Sequence, residues 1–546
     1  MLRSRPARTS FNAFAVLALA VALAACSVPQ RPDLARMYRV AAVSPDDTPV
    51  ILIPGLFGSK LRDRTTGVEV WPGAWDRVLF SDYGDLALKF DPTTLEVTRD
   101  NLEAYDIAEA VLGKDFYGPI ISTLVNSGGY VRATPGTRAQ PGERRLYLFP
   151  YDWRRDNVEQ ARGLEALIDA IRKDYGDEQL RVDIVAHSMG GLIARYYLRY
   201  GPTDVLDGMP SLISLYGTNR VRKLVLLGTP NFGAVSALHG YLAGEPIGLK
   251  RMLPEVLATL PSGYQLFPHP LANWLIDASG VDLPDELFEP ATWQRYRWNV
   301  YDPVVEARVL ARQDGGEAQL EALRRFFELR LERARRFAWM LSTPEPATPI
   351  RYVLFGGDCT LTPARIVVEN GADGPQTRLS PRDVRTGASR TILEQAMLEP
   401  GDGRVTKPSL LARESIDPTA PQLEQSFLPI AYYFFLCEEY DQLTGNVNFQ
   451  DNLLNVLLTR DLPWEAPRAP AARGSTQPWP RVERDVARVQ THDHELATFN
   501  TSLPVFSPVK SFASVSGNVS RPSTMCSRVL SWPEAIQEAI SFAASP

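Results

Sequence analysis

The chain has 546 residues, of which 45% are hydrophobic and 22% are charged, a composition that excludes a mainly disordered, collagen-like or multi-span membrane protein. Its 58 basic and 64 acidic side chains give a formal net charge of −6, so no overall positive field is available to bind nucleic acid. Four cysteines and five histidines are too few for a disulfide scaffold or a multi-cysteine zinc module. We therefore expect no metal, no other cofactor and no nucleic-acid partner.

The first 25 residues are predicted to be a lipoprotein signal peptide. Three arginines precede the short apolar run 11–23, which has the charge pattern and length of a secretory signal rather than of a membrane span. The run is followed by Ala-Ala-Cys at Cys26, which resembles the bacterial lipobox. The resemblance implies lipidation of Cys26 and anchoring in the cell envelope, with the protein on the outer membrane facing the periplasm. An ordinary signal peptide with a chance cysteine is the alternative.

Strand-like and helix-like segments alternate in the sequence that follows. Apolar runs that predict strands occupy residues 49–53, 145–150, 182–186, 223–227, 351–356 and 428–436, and helical periodicity is found at 164–171, 189–200, 317–341 and 449–457. This alternation predicts an α/β fold with a mainly parallel central sheet. Between about 235 and 346 this alternation breaks into helix-like segments.

The remaining composition suggests further boundaries. Residues 26–47 are interpreted as an N-terminal tether and residues 48–460 as the main domain. The Pro/Ala-rich segment 461–480 is a predicted linker. Residues 481–546 form a C-terminal extension, in which a short amphipathic helix is predicted from Pro533.

The segment 183–192 carries the strongest chemical signal. A predicted strand leads into a predicted helix through Ala-His-Ser-Met-Gly, centred on Ser188, which is the G-x-S-x-G elbow with alanine for the first glycine. Such a tight turn needs small residues on both sides and directs the hydroxyl toward the positive end of the helix. Ser188 is therefore the predicted nucleophile. His187 is not taken as its base, because neighbours at this turn point apart.

A serine that transfers acyl groups also needs amide donors for the developing oxyanion. The amide of Met189 is one candidate, and the amide of Leu56, in the loop after the first strand, is the other. Gly55 and Gly58 allow the backbone of this loop to approach closely. A purely structural turn is the alternative for the loop.

Several segments together resemble the lecithin–cholesterol acyltransferase family of α/β-hydrolases. They are residues 50–61 (VILIPGLFGSKL), 130–132, 150–154 (PYDWR), the Ser188 elbow, 227–233, 401–405 (GDGRV) and 444–454. The resemblance covers about residues 48–460 and implies an α/β-hydrolase fold with an inserted cap. It also implies a lid near the first strand, for which Trp71 and Trp75 are candidates unless they belong to the core.

The resemblance implies a chemistry as well. Ser188 would attack a lipid ester and pass the acyl group to an alcohol or to water. Asp402, in the GDGRV motif, would be the acid of the catalytic triad, and Asp358, at the end of the predicted strand RYVLFGGD, is the alternative acid.

The triad histidine is missing from its expected place. The resemblance aligns Tyr440 with it, and no histidine occurs between His269 and His492. A phenol with a pKa of about 10 is a poor base at neutral pH. Three interpretations remain. His492 or His494 supplies the base, or Tyr440 or a nearby carboxylate supports a slower or altered reaction, or the protein is a degenerate lipid-binding envelope lipoprotein. The intact elbow, oxyanion loop and acid motif favour the two enzyme interpretations.

Two of the cysteines are candidates for a disulfide. Cys359 and Cys437 each follow a predicted late strand, and adjacent parallel strands bring such ends together. We predict that they pair.

Overall fold

The computed structural model describes residues 32–42, 46–111, 114–208, 212–312, 316–372, 374–415, 426 and 428–459. The chain divides into the units Met1–Arg468 and Ala469–Pro546, and the second lies wholly outside the described residues.

The strands of the described ranges, in chain order, are β1 (Val50–Ile53), β2 (Ser59–Asp63), β3 (Glu69–Trp71), β4 (Leu102–Ile107), β5 (Ala110–Val111), β6 (Lys114–Asp115), β7 (Val131–Ala133), β8 (Arg145–Leu148), β9 (Val182–His187), β10 (Val221–Leu227), β11 (Glu245–Ile247), β12 (Lys250–Met252), β13 (Leu275–Asp277), β14 (Arg351–Gly357), β15 (Thr360–Pro363), β16 (Ile366–Gly371), β17 (Gly374–Arg378), β18 (Leu398–Gly401) and β19 (Ile430–Leu436). The α-helices are Leu34–Ala42, Trp75–Phe80, Tyr117–Asn126, Asn157–Tyr175, Met189–Tyr200, Val235–Ala243, Pro254–Leu257, Pro261–Tyr264, Pro290–Tyr296, Pro303–Leu310, Glu317–Ser342, Arg390–Met397, Lys407–Leu410 and Val447–Leu458. Short 3-10 helices lie at Gly84–Leu86, Tyr216–Asn219, Asn299–Tyr301 and Leu443–Gly445.

Seven strands form the central sheet in the order β19-β14-β10-β9-β1-β8-β7. All neighbouring strands in it are parallel. β1 and β9 are buried at every position, which is why their sequences are continuous apolar runs rather than alternating ones. Helices Asn157–Tyr175 and Met189–Tyr200 connect β8 to β9 and β9 to β10. The predicted α/β-hydrolase fold is confirmed.

The parallel register brings several strand ends to one edge of the sheet. Leu227 at the end of β10 pairs with His187 at the end of β9, and Gly357 at the end of β14 pairs with Leu436 at the end of β19. Loops that leave the carboxyl ends of parallel strands are where ligands bind in open α/β sheets. These loops carry Ser188, Asp358, Cys437 and Tyr440.

The chain between β10 and β14 is mainly helical, with the short hairpin β11–β12 and strand β13. Its longest helix, Glu317–Ser342, buries the apolar stripe expected from the sequence. Arg195 and Arg199 of helix Met189–Tyr200 donate to the carbonyl oxygens of Leu341 and Met340 at 2.6 and 3.0 Å. Cations at the C-terminus of a helix satisfy its last carbonyl groups, so this contact fixes the long helix on the central domain.

The six predicted strands correspond to β1, β8, β9, β10, β14 and β19, with ends that differ by a few residues. The small sheets β2-β3-β4 and β13-β16-β17 were not predicted, because their strands are at most six residues long and some of them, such as β2 and β17, are mainly polar. Nor was helix Leu34–Ala42, within the predicted tether, whose Tyr38 hydroxyl donates to Asp451 at 2.7 Å.

Several predicted segments lie outside the described residues, namely the signal peptide 1–25 with Cys26, the linker 461–480 and the extension 481–546 with its helix from Pro533. Within the described ranges, no helix is both long enough and apolar enough to cross a bilayer.

Candidate active site

Ser188 stands at a sharp turn between a strand and a helix. β9 ends at His187, helix Met189–Tyr200 begins one residue later, and Ser188 between them has φ 53° and ψ −125°. Such a backbone conformation is strained for any residue with a side chain. A methyl group on Gly190 would lie 2.5 Å from the carbonyl oxygen of Pro54, and one on Gly191 would lie 2.1 Å from Thr229 Oγ1. The small residues after the serine are therefore required by close packing.

The loop after β1 lies directly against this turn. A methyl group added to Gly55 would come within 2.7 Å of Ser188 Cβ and 3.2 Å of its Oγ. In the described part of the chain, the amides of Leu56 and Met189 donate no hydrogen bond to another protein group. Ser188 retains 7% exposure. Both predicted oxyanion donors thus belong to the two segments that meet at the nucleophile.

Tyr440 is the hydrogen-bond partner of the serine. It follows β19, and its phenol hydroxyl is hydrogen-bonded to the Ser188 hydroxyl. Its ring lies 4.9 Å from the ring of His187 and 6.2 Å from that of Phe116, centroid to centroid. Desolvation raises the pKa of Tyr440 well above its ordinary value, and the nearby Asp402 carboxylate raises it further. The phenol is therefore protonated at neutral pH and cannot itself hold the serine proton.

Asp402 is buried close to Tyr440, with only 1% exposure. Its Oδ1 accepts hydrogen bonds from the amides of Arg404 and Val405 at 2.9 and 2.7 Å, whereas its Oδ2 has no hydrogen-bond partner among the described residues. Burial raises the pKa of Asp402 to about 6, against the opposing effect of these amides. At neutral pH the site therefore holds a carboxylate with one unpaired oxygen.

Asp358, the alternative acid, has another partner. Its Oδ2 accepts from Lys407 Nζ at 2.7 Å, and the pair is partly exposed. The next residue, Cys359, forms a disulfide with Cys437, with 4.9 Å between the two Cα atoms. The predicted disulfide is confirmed, and it joins the ends of β14 and β19 near Tyr440.

No described histidine is a hydrogen-bond partner of Ser188. His187 turns away from it, as expected, and its Nδ1 lies 2.8 Å from the Tyr117 hydroxyl. Burial lowers the pKa of His187 to about 3 and that of His269, which stacks on Phe232, likewise. His492 and His494 lie outside the described residues. The described ranges also contain no group of three or more side chains suited to hold a metal ion.

The two candidate lid tryptophans have different surroundings. Trp71 is buried and packs against Phe57 and Trp153, with ring centroids 5.1 and 5.3 Å away. Trp75 begins helix Trp75–Phe80 and is 66% exposed. Trp71 is therefore a core residue, whereas Trp75 lies on the surface.

Sequence reasoning missed the phenols that surround the loop after β1. Tyr117 accepts a hydrogen bond from the Gly55 amide, and Tyr151 donates to the Pro54 carbonyl oxygen, each at 2.8 Å. Tyr151 lies in the PYDWR segment, whose Trp153 donates to the Ser59 carbonyl at 3.1 Å. That segment gave a signal for Tyr151 and Trp153, but no motif indicated Tyr117.

Comparisons with known proteins agree with the family resemblance. A family model described as "Lecithin:cholesterol acyltransferase" matches residues 141–302. The phosphatidylcholine-sterol acyltransferase of Gallus gallus is 27% identical over 184 residues, which make up 32% of this chain and 38% of that protein. The chain thus matches well under half of the length of this relative. The resemblance to the family is confirmed over the matched segment.

Solved structures give weaker similarities. The Tle4-Tli4 complex contains a chain that is 15% identical, with a TM-score of 0.48, covering 75% of this chain and 98% of that one. The Bacillus licheniformis lipase BlEst2 in mature form is 12% identical, with a TM-score of 0.30, covering 76% of this chain and 94% of the lipase. The fold assignment rests on the sheet topology described above.

Proposed function

From the family match of residues 141–302, we propose that this chain is a lipid acyltransferase or lipase-type serine hydrolase. In this proposal Ser188 attacks the carbonyl of a lipid ester, the alcohol leaves, and the acyl group stays on the serine until an alcohol or water accepts it. The observation that carries the proposal is the strained backbone of Ser188, whose hydroxyl is hydrogen-bonded to Tyr440. Beside Tyr440, one oxygen of Asp402 has no partner among the described residues. Strain of this kind is stored at functional sites.

The oxyanion of the tetrahedral intermediate needs donors that are already in position. The amides of Leu56 and Met189 suit this role, because neither donates elsewhere in the described part of the chain. Met189 directly follows the serine, and Leu56 directly follows Gly55, which lies against the serine. The N-terminus of helix Met189–Tyr200 adds its positive end to the same point. A donor of this kind contributes about 10² to 10³ in rate.

The serine proton has an unusual route in this site. Tyr440 is hydrogen-bonded to Ser188, but its raised pKa keeps it protonated at neutral pH, so it cannot take up a second proton. Asp402 is the nearby ionised group with a free oxygen. We infer that Asp402 is the net acceptor: as Tyr440 takes up the proton of Ser188, it gives its own proton to the carboxylate. This transfer requires the phenol hydroxyl to turn toward Asp402 Oδ2, which is without a partner among the described residues. A carboxylate with a pKa of about 6 is a weaker base than an ideally tuned group, and we expect slow turnover.

A second candidate function is a degenerate lipid-binding lipoprotein of the cell envelope. The observation in its favour is the phenol at the position that the resemblance assigns to histidine, with a pKa raised above its ordinary value. Such a protein would bind an ester without forming the acyl-enzyme.

Covalent labelling distinguishes the two candidates. The full-length chain is treated with a fluorophosphonate probe bearing an alkyl tail, and the modified residue is located by mass spectrometry, with Ser188→Ala as the control. We expect a slow modification confined to Ser188 that requires folded protein. An absence of labelling in folded protein, together with binding of a fluorescent lipid ester, would establish the degenerate alternative.

The proposed location is the outer membrane, facing the periplasm, through a lipid on Cys26. Metabolic labelling with an alkyne fatty acid, comparing the chain with Cys26→Ser, tests it. Label that persists in the variant would refute lipidation of Cys26.

A further inference from the structure

One peptide unit next to the serine is held at both of its polar ends. The carbonyl oxygen of Pro54 accepts a hydrogen bond from Tyr151 Oη, and the amide of Gly55 donates to Tyr117 Oη, each at 2.8 Å. These two groups belong to the same peptide bond. Both phenols are buried, at 3% and 4% exposure, so water does not compete for the two contacts.

His187 fixes the direction of one of the phenols. Tyr117 Oη lies 2.8 Å from His187 Nδ1 and already accepts from Gly55, so its own proton is available to His187 Nδ1. That arrangement makes His187 a neutral acceptor at Nδ1, which agrees with a pKa lowered by burial to about 3. The residue before the nucleophile is thereby connected to the loop through Tyr117.

The loop after β1 is packed so closely against the turn at Ser188 that it has little room to move. Gly55 lies so near Ser188 that an added methyl group would be 2.7 Å from Ser188 Cβ, and a methyl group added to Gly190 would be 2.5 Å from the Pro54 carbonyl oxygen. The next peptide unit contains the amide of Leu56. Rotation of the Pro54–Gly55 peptide would therefore also move the Leu56 amide, which follows it directly in the chain.

We propose that Tyr117 and Tyr151 are positioning residues that orient the Pro54–Gly55 peptide so that the Leu56 amide is directed at the oxyanion, with His187 holding Tyr117. This inference rests on the proposed function, since an oxyanion forms only if Ser188 is acylated. It also gives a reason for Tyr151 within the PYDWR segment. Each phenol acts through the backbone of the loop rather than on the reacting atoms themselves.

The test uses Tyr117→Phe and Tyr151→Phe in the full-length chain. The matched control is Tyr196→Phe, because Tyr196 Oη likewise accepts a backbone amide, from Val205 at 3.1 Å, and donates onward, to the Thr203 carbonyl at 2.8 Å. Each of the three changes removes one buried or partly buried phenol hydroxyl together with the hydrogen bonds that it makes. A general loss of stability would therefore be common to all of them.

The first measurement is hydrogen exchange of the Gly55 amide, which needs no catalysis. In Tyr151→Phe the bond from Gly55 to Tyr117 is retained, so a purely local role of Tyr151 leaves this amide unchanged. If the two phenols hold the Pro54–Gly55 peptide jointly, exchange of the Gly55 amide in Tyr151→Phe becomes at least about 10-fold faster. Tyr196→Phe should leave it as in the original protein.

The second measurement is steady-state hydrolysis of an activated ester and of its thiono analogue. Sulfur accepts hydrogen bonds poorly, so the preference for the oxygen ester reports the oxyanion donors. We expect Tyr117→Phe and Tyr151→Phe to lower kcat about 10- to 100-fold with KM unchanged, and to reduce this preference. We expect the control to keep both kcat and the preference.

The two measurements separate the possible failures. Unchanged Gly55 exchange in Tyr151→Phe, or unchanged kcat and preference in both site variants, overturns the inference. Faster exchange in a protein whose Ser188 does not react with the probe shows that the proposed function has failed, and the positioning role then fails with it. If Tyr117→Phe does not fold, Tyr151→Phe alone decides.

Discussion

The main-chain amide of Tyr440 donates to the main-chain carbonyl of Asp402 at 2.7 Å. The residue at the position that the family resemblance assigns to the triad base is therefore hydrogen-bonded, through its main chain, to the residue assigned to the acid. The Cys359–Cys437 disulfide holds the start of the same loop. The backbone of this loop is thus held at two points, by the disulfide and by the hydrogen bond to Asp402, and the Tyr440 side chain is where the site departs from the triad that the resemblance implies.

Replacing Tyr440 with histidine should raise activity. An imidazole in this position can accept the Ser188 proton and donate its other N–H to the unpaired Asp402 oxygen. A well-placed general base contributes about 10² to 10⁴ in rate, so we expect Tyr440→His to increase the labelling rate of Ser188 by at least about 10-fold. The measurement is the second-order rate constant for the fluorophosphonate probe at pH 7.5.

Three controls accompany this variant. Tyr440→Phe should label more slowly than the original protein, and Tyr440→His combined with Asp402→Asn should lose most of the gain. The pair His492→Ala and His494→Ala should leave labelling unchanged, because Tyr440 is the partner of the serine. Loss of labelling in that pair would instead identify the C-terminal extension as the source of the base.

The stability of the protein should depend on pH through Asp402. Burial raises the pKa of Asp402 from 3.8 to about 6, so the folded state binds the proton more tightly than the unfolded state does. The resulting stabilisation is complete below pH 3.8 and is lost as the pH rises through about 6. Asp402→Asn should therefore be more stable than the original protein at pH 7.5, by up to about 3 kcal/mol, measured by urea unfolding.

The difference should shrink as the pH is lowered from 7.5 to 5. Asp358→Asn is the matched control, because it removes a carboxylate at the same edge of the sheet that is paired with Lys407 at 2.7 Å. Loss of that partly exposed pair should cost less than about 1 kcal/mol. A pH-independent effect of Asp402→Asn would contradict the assignment.

The strain at Ser188 should be measurable as stability. Glycine adopts φ 53° without the penalty that a side chain brings, and relief of such strain is worth about 1 to 3 kcal/mol, partly offset by the greater freedom of glycine in the unfolded chain. We expect Ser188→Gly to unfold at a free energy about 1 kcal/mol higher than Ser188→Ala. Equal stabilities would mean that the turn is relaxed.

Removing the disulfide should destabilise the protein. Cys359 and Cys437 are 78 residues apart in sequence, and closing a loop of this length lowers the entropy of the unfolded chain by an amount worth about 4.5 kcal/mol. We expect Cys359→Ala/Cys437→Ala to unfold at a correspondingly lower urea concentration. Reductant should destabilise the original protein to the same level and leave the variant unaffected.

Most of the central sheet could be predicted because its strands are buried on both faces and form continuous apolar runs, as in β1 and β9. The small sheets escaped prediction, since strands such as β17 are short and mainly polar and owe their conformation to pairing with distant segments. Pairing of this kind leaves no local periodicity.

The candidate site was predictable where its chemistry has a local motif, as at Ser188 and Asp402. The hydrogen bond between Ser188 and Tyr440 and the unpaired oxygen of Asp402 were not, because each depends on loops that are far apart in sequence. Tyr117 is the clearest case, since it reaches Gly55 across 62 residues and no sequence feature connects the two.

The presence of Tyr440 has a consequence for directed evolution. The two tyrosine codons differ from two histidine codons only in the first base, so a single nucleotide transition converts one residue into the other. The Ser188 elbow, Asp402 and the backbone hydrogen bond between Tyr440 and Asp402 are already present. A growth selection with a fatty ester as the carbon source should therefore recover this single transition before any combination of several changes.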